Sequence, residues 1–213
     1  MFTIRNETEN DYTIVEALIR KAFYNLYIPG CVEHYLAHIM RCHEDFIPEL
    51  DFVAELDGQV IGSIMYTRAG LVDEAGREKA ILTFGPVCIL PEYQRMGYGA
   101  SLMEYSFEKA VSLGYDVIVI FGSPANYVGR GFQSCRKHHI CDENGKYPAA
   151  MMVKELVPHA LDGRRQTYHG SPVMAFDEEA AGRYDDALEE MKKEHRPSQE
   201  EFYIMSHAFL EDK

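Results

Sequence analysis

Apolar residues recur along this chain with two different periods, and the switches between them mark out the elements. Phe2-Thr3-Ile4-Arg5 alternates and predicts a strand. Thr8-Glu9-Asn10-Asp11 supplies a helix start, after which Ile14, Val15, Leu18, Ile19, Ala22 and Phe23 keep helical spacing. A second, weaker helical pattern begins at Pro29-Gly30, carries Val32, Tyr35, Leu36, Ile39 and Met40, and ends before Phe46-Ile47-Pro48. The strand pattern returns in Phe52–Leu56 and Gln59–Tyr66, separated by Asp57-Gly58, a pair that accepts the positive φ of a two-residue hairpin turn. Asp73-Glu74-Ala75-Gly76 predicts another turn and leads into a third antiparallel strand.

Residues 80 to 114, AILTFGPVCILPEYQRMGYGASLMEYSFEKAVSLG, form the centre of the pattern. An apolar run breaks at Pro91, passes through a polar loop and resumes with helical spacing, so the stretch reads as strand, loop and helix, closing at Gly114. Tyr115–Gly122 is a continuous apolar run, as a buried strand parallel to the one before the helix requires. Gly131–Cys135 and Ala149–Val153 predict two more strands that close the sheet. From Pro158 the composition changes, with Asp162-Gly163-Arg164-Arg165 as a loop or linker. Phe176, Ala180, Tyr184, Ala187, Leu188 and Met191 then recur at helical spacing on a charged segment. Ser198 with Glu201 predicts the N-cap of a last helix bearing Phe202, Met205, Ala208 and Phe209. There is no internal repeat and no low-complexity tract.

Composition narrows the class. The chain has 213 residues, 46% hydrophobic and 26% charged, within ordinary globular usage and enough for a substantial core. A net charge of −13 disfavours nucleic acid and anionic membrane surfaces as partners, and mildly favours cationic substrates. Five cysteines, an odd number, and no basic-then-apolar leader argue for a reduced, cytoplasmic setting and against a disulfide framework. No apolar stretch reaches the roughly 18 to 20 residues of a membrane-spanning helix.

The chemistry concentrates in Gln94-Arg95-Met96-Gly97-Tyr98-Gly99-Ala100, where two glycines sit at the start of the central helix. The first backbone N–H groups of a helix lack intrahelical partners and face an anion readily, so this is a phosphate cradle. The segment also matches the Gln/Arg-x-x-Gly-x-Gly/Ala motif of the GCN5-related N-acetyltransferase (GNAT) superfamily, and Tyr127-Val128-Gly129-Arg130-Gly131-Phe132 resembles that family's Tyr-x-x-x-Gly-Phe element. Phe84-Gly85-Pro86-Val87 and the short segment before Tyr127 resemble the YhbS-like members. A Rossmann dinucleotide site fits less well, because the third glycine and the acidic ribose-binding residue are missing.

The resemblance implies an α/β (α+β) GNAT acyl-CoA acyltransferase fold, with a mixed, mostly antiparallel sheet flanked by helices over residues 1–157. Residues 158–213 are then a largely helical C-terminal extension, packed on the domain or forming the arm of a homodimer. It implies acetyl-CoA as co-substrate, with the N–H groups of Arg95, Met96, Gly97, Tyr98, Gly99 and Ala100 on the pyrophosphate and Gln94 and Asn126 as further contacts. Pantetheine pairs with the exposed backbone of Val87, Cys88 and Ile89, where the strand before the loop splays from its neighbour; Gly85-Pro86 suits such a distortion, since proline donates no ladder hydrogen bond. Tyr127 becomes the acid that protonates the departing thiolate.

The general base is not readable. Many members of the family carry a glutamate where this chain has Thr83. A water relay to Glu49, Asp51 or Glu55 is conceivable, although each is also an ordinary solvated acid. Cys31, His34, His38 and Cys42 fall near one helix face, and Cys135, His138, His139 and Cys141 cluster in a late loop, but neither set has Cys-x-x-Cys spacing, and no metal is expected. The helical set is expected to line or flank the acceptor groove, and Cys88 to pack and not to attack. The expected activity is direct acetyl transfer to an amine acceptor, with a small molecule as its carrier; the rival is a non-catalytic acetyl-CoA-binding module, which the missing acid at Thr83 supports.

Overall fold

The computed structural model describes residues 1–211. In chain order its elements are β1 (Phe2–Asn6), α1 (Tyr12–Phe23), α2 (Glu33–Met40), β2 (Phe52–Leu56), β3 (Gln59–Asp73), β4 (Glu78–Ile89), α3 (Tyr98–Ser112), β5 (Val117–Phe121) and the one-turn α4 (Pro124–Tyr127). There follow β6 (Gln133–Ser134), β7 (Ile140–Cys141), β8 (Tyr147–Pro148), β9 (Met151–Glu155), β10 (Gln166–His169), α5 (Glu178–Asp186), α6 (Pro197–His207) and β11 (Phe209–Leu210). The main sheet runs β1-β2-β3-β4-β5-β9-β6, with β10 on β3 and β7 on β10; β11 pairs with β8 in a small second sheet. Among the described residues the pairing is antiparallel except at β4/β5 and β7/β10. This is the mixed, mostly antiparallel α/β architecture that the resemblance implies, with the antiparallel β2-β3-β4 meander and the parallel β4/β5 pair that the hydrophobic pattern predicts.

The local signals act as their chemistry requires. Thr8 and Asp11 form a capping box ahead of α1, with the Thr8 N–H and hydroxyl both donating to Asp11 Oδ2 at 2.9 and 2.7 Å. Asp57 and Gly58 both take positive φ in the β2–β3 turn. Helix α1 packs on β3 and β4, and α3 packs on β2 and β3. The Tyr66 hydroxyl reaches Ser106 Oγ at 2.7 Å, so the one polar atom of this buried ring is satisfied where strand meets helix. No helix among the described residues is long and apolar enough to cross a membrane.

Two features of the tail depart from expectation. β3 does not stop at Tyr66 but runs on to Asp73, outlasting β2, and β10 fills the edge so exposed by pairing Gln166–His169 with Gly70–Asp73. The segment expected as a helical extension therefore also contributes a strand to the main sheet and another, β11, to β8. The second departure lies between α5 and α6. Helical spacing extends to Met191, yet α5 ends at Asp186 and the following residues cross the molecule as a strap. Tertiary hydrogen bonds hold it: the Tyr24 hydroxyl donates to Met191 O at 2.7 Å, Asn25 Nδ2 to Lys192 O at 2.9 Å, and the Glu194 N–H to Asn25 Oδ1 at 3.0 Å. Ser198 is not the N-cap of α6, which begins at Pro197; its hydroxyl donates instead to Leu26 O at 2.8 Å.

The strap is anchored by a buried ion pair. Asp185 Oδ1 on α5 accepts from Arg20 Nε of α1 at 2.7 Å, and His34 Nε2 of α2 lies 3.4 Å from the same oxygen. Burial holds His34 well below the ordinary histidine range, at about 4, so the imidazole is neutral and Arg20 is the cation that balances Asp185 at neutral pH.

Candidate active site

β4 is the strand that makes room for a ligand. It pairs with β3 along its length, with a register shift between Ile64 and Tyr66 that falls opposite Gly85-Pro86. On its other side it meets β5 at Leu82 and Ile118 alone, leaving the second backbone edge of residues 84–89 without a strand partner among the described residues. A cleft of about 750 Å³ opens at this fork, lined by Val87, Cys88 and Ile89. The expected splay is therefore present.

Helix α3 points its N-terminus at the same cleft. Gly97 is its N-cap with φ +94, a left-handed conformation, and a Cβ there would meet nothing within 4 Å, so the space above the loop is open to a ligand. Ser101 N–H is the first amide to find a helix-type acceptor, on Gly97 O at 3.1 Å; those of Tyr98, Gly99 and Ala100 precede the ladder. Arg95, Gly97, Gly99 and Ala100 line the cleft. Gln94 braces the loop, its side-chain amide donating to Ile89 O at 2.9 Å and its N–H engaged with Pro91 O at 3.3 Å. The Met96 side chain is solvent-exposed and the Tyr98 ring packs on Phe2, so at these two positions the backbone amide is what remains for an anion. Arg130, which the motif contained but no expectation singled out, adds a second cation: it lines the cleft, and its buried Nε has no acceptor among the described residues. Two guanidinium groups and a run of open amides suit a pyrophosphate.

Tyr127 and Asn126 sit on α4 at the cleft wall. The Tyr127 ring packs against Phe84 and Phe132 at centroid distances of 5.9 and 5.6 Å, and lies so close to Gly122 that a Cβ there would stand 2.7 Å from Cε2. Gly122 is thus what seats the phenol. Burial, and secondarily the neighbouring Tyr27, push its hydroxyl above the ordinary tyrosine range, keeping it protonated and able to donate. Thr83 is buried beside Tyr168, a cleft residue delivered by β10.

The carboxylates considered as relays lie elsewhere. None of Glu49, Asp51 and Glu55 lines the cleft, because all belong to β2 or the turn before it, separated from β4 by β3. Glu55 accepts from Arg5 Nε at 3.1 Å. Asp51 is buried beside Glu7, which Arg41 grips through Nε at 3.1 Å and Nη2 at 2.8 Å. The acid that does line the cleft is Glu33, at the start of α2. Its Oε2 accepts from Val32 N–H at 3.1 Å and Cys31 Sγ at 3.3 Å, and burial raises its proton affinity above that of a free glutamate. Cys31, His34, His38 and Cys42 do not line the cleft; Val32, Glu33 and Leu36 do. The sequence signal for Glu33 was present only as an acid in the first turn of a weak amphipathic helix. No group of three or more potential metal ligands is found among the described residues. Cys88, in the cleft, is pushed up to about 12 by burial and is a neutral thiol.

A forked strand, a glycine-bearing helix start and a phenol meet on one cleft of this mixed α/β domain. The model of the acetyltransferase (GNAT) family matches residues 20–132, more than half of the chain, and the chain belongs to that family. A relative from Escherichia coli strain K12, the uncharacterized N-acetyltransferase YjhQ, is 30% identical over 108 residues, covering 51% of this chain and 56% of that protein. The match thus spans little more than half the length of this curated relative. Among solved structures, the E. coli GNAT protein YhbS in complex with CoA superposes with a TM-score of 0.71 at 24% identity, over 82% of this chain and 92% of that one. A GNAT family acetyltransferase from Brucella melitensis in complex with acetyl-CoA gives 0.63 at 21% identity, over 82% and 98%. These likenesses establish the shared fold.

Proposed function

We propose that this chain is an acetyl-CoA-dependent N-acetyltransferase that moves the acetyl group directly to the amine of a small molecule. The observation that carries the reading is the convergence of the unpaired β4 edge, the α3 amide cradle and Tyr127 on one cleft. Acetyl-CoA supplies an activated thioester. The amides of residues 95–100, with Arg95 and Arg130, hold the pyrophosphate; Asn126 and the backbone of Val87, Cys88 and Ile89 hold the pantetheine; and an N–H near Ile89 polarises the carbonyl. Tyr127 lends its proton to the departing thiolate and regains one from the product nitrogen. The five free cysteines suit a reducing cytoplasm, and the net charge weighs against nucleic acid or an anionic membrane as partner.

Tyr127→Phe keeps the ring packing and removes only the proton. Turnover is expected to fall by about 10²-fold, with acetyl-CoA affinity unchanged by calorimetry; undiminished turnover removes the assignment. The rival, a non-catalytic acetyl-CoA module suggested by Thr83, predicts tight acetyl-CoA binding with no acceptor-dependent thiol release across a broad amine panel.

A further inference from the structure

One wall of the cleft is built of apolar side chains from two distant parts of the chain. Phe23, Leu26 and Tyr27 come from the end of α1 and the loop after it, and Met174, Phe176 and Phe202 from the tail. Phe202 stacks on Tyr27 at a centroid distance of 4.5 Å, and Gln199 Nε2 donates to Asn25 O at 3.1 Å, so α6 is held over that loop as a wall of the pocket. Apart from its tyrosines and cysteine, the cleft's ionisable side chains are Glu33, Arg95 and Arg130, and both arginines belong to the donor half. The chain's negative charge is therefore not what an acceptor meets.

We infer that this pocket takes a small primary amine on a single apolar body of aromatic size, and that Glu33 receives the ammonium proton. The inference deepens the acetyltransferase reading and rests on it. One carboxylate can neutralise one ammonium, whereas a polyamine would bring a second charge against apolar walls with no acid to meet it. The titratable groups that feel the charge of Glu33 are Tyr27 from the loop after α1, Cys31 beside it and Cys88 on β4, and each is neutral in its ordinary state; burial raises the proton affinity of Glu33, as a base working nearer neutrality requires. The steps balance. R–NH3⁺ gives a proton to Glu33, the amine nitrogen bonds to the thioester carbon, and the C–S bond breaks. The thiolate takes the Tyr127 proton, the phenolate recovers one from the amide nitrogen, and Glu33 releases its proton to solvent.

The test is a thiol-release assay with the full chain and acetyl-CoA, comparing 2-phenylethylamine and 3-methylbutylamine with putrescine and spermidine. We expect kcat/KM for 2-phenylethylamine to exceed that for putrescine by at least about tenfold. Phe202→Ala should erode that preference through KM while leaving acetyl-CoA affinity alone. Glu33→Gln should lower kcat and move the ascending limb of the pH–rate profile up towards the amine's own deprotonation; a merely structural role would scale the profile without moving it. Equal or better use of the polyamines overturns the inference and leaves the acetyltransferase reading standing, and an unmoved limb in Glu33→Gln overturns the base assignment. Calorimetric binding of 2-phenylethylamine to the CoA-loaded protein without any thiol release supports the pocket and overturns the transfer reading together with Glu33's role. Neither binding nor release with any amine overturns both.

Discussion

The donor half of the cleft is assembled from one continuous region, from Thr83 on β4 through the cradle to Tyr127 and Arg130. The acceptor half joins residues 22–36 to residues 168–202, across some of the longest sequence separations in the molecule. The donor half is held by backbone geometry within a strand–helix–strand unit; the acceptor half, beyond β10 in the sheet, is held by a few side-chain bonds that tie α1 and its following loop to the strap and α6. Damage should therefore spread differently. A donor residue can fail alone, whereas releasing the strap should take the acceptor pocket with it.

The strongest way to break this contrast is Asp185→Ala. It strands Arg20 in a buried site, a loss of about 3–5 kcal/mol for an ion pair of this kind, measurable by urea unfolding. Acceptor KM should rise steeply while calorimetry finds acetyl-CoA affinity retained; a parallel loss of both means the halves are not independent. Gly122→Ala probes the donor half from inside. The new Cβ collides with the Tyr127 ring, and displacement of the phenol by about 1 Å is expected to lower kcat by about 10²-fold with acceptor KM unmoved.

The smallest effect should come from a third cluster, outside the cleft. Asp51 lies buried beside Glu7, and burial, with Glu7 beside it, raises its proton affinity in the folded protein. The folded chain then keeps a proton that the unfolded chain releases, so stability falls as pH climbs above the ordinary aspartate range and recovers on acidification. Asp51→Asn supplies a hydrogen-bond donor without a proton to lose. A gain of about 1 kcal/mol at mildly alkaline pH and a flatter pH–stability curve are expected in thermal melts, with kinetics at both halves of the cleft unchanged.

Much of the donor half is legible in the amino-acid sequence. Gly97 and Gly99 at a helix start and Gly85-Pro86 in a strand are local signals that depend on backbone rules acting over a few residues, whereas Tyr127, four residues before Gly131, is legible through the resemblance of its motif. The proton acceptor is not legible in the same way. Glu49, Asp51 and Glu55 stand near the site in sequence but belong to β2 or the turn before it, whereas Glu33 reaches the cleft because α2 packs where β4 parts from β5. Ser198 misleads for a similar reason: its hydroxyl is a good cap in isolation but finds Leu26 O instead.

The sequence by itself determined the elements as far as β5, the β2-β3-β4 meander with β5 parallel to β4, and the two glycines at the start of α3, because periodicity, turn chemistry and helix termini are properties of neighbouring residues. Only the tertiary structure decided that the tail enters the sheet through β10, that the strap covers the loop after α1, and that Glu33 shares a cleft with Tyr127. Those outcomes turn on which distant groups satisfy one another once buried: an unpaired β3 edge, the carbonyls of Met191 and Lys192, and the charges of Arg20 and Asp185.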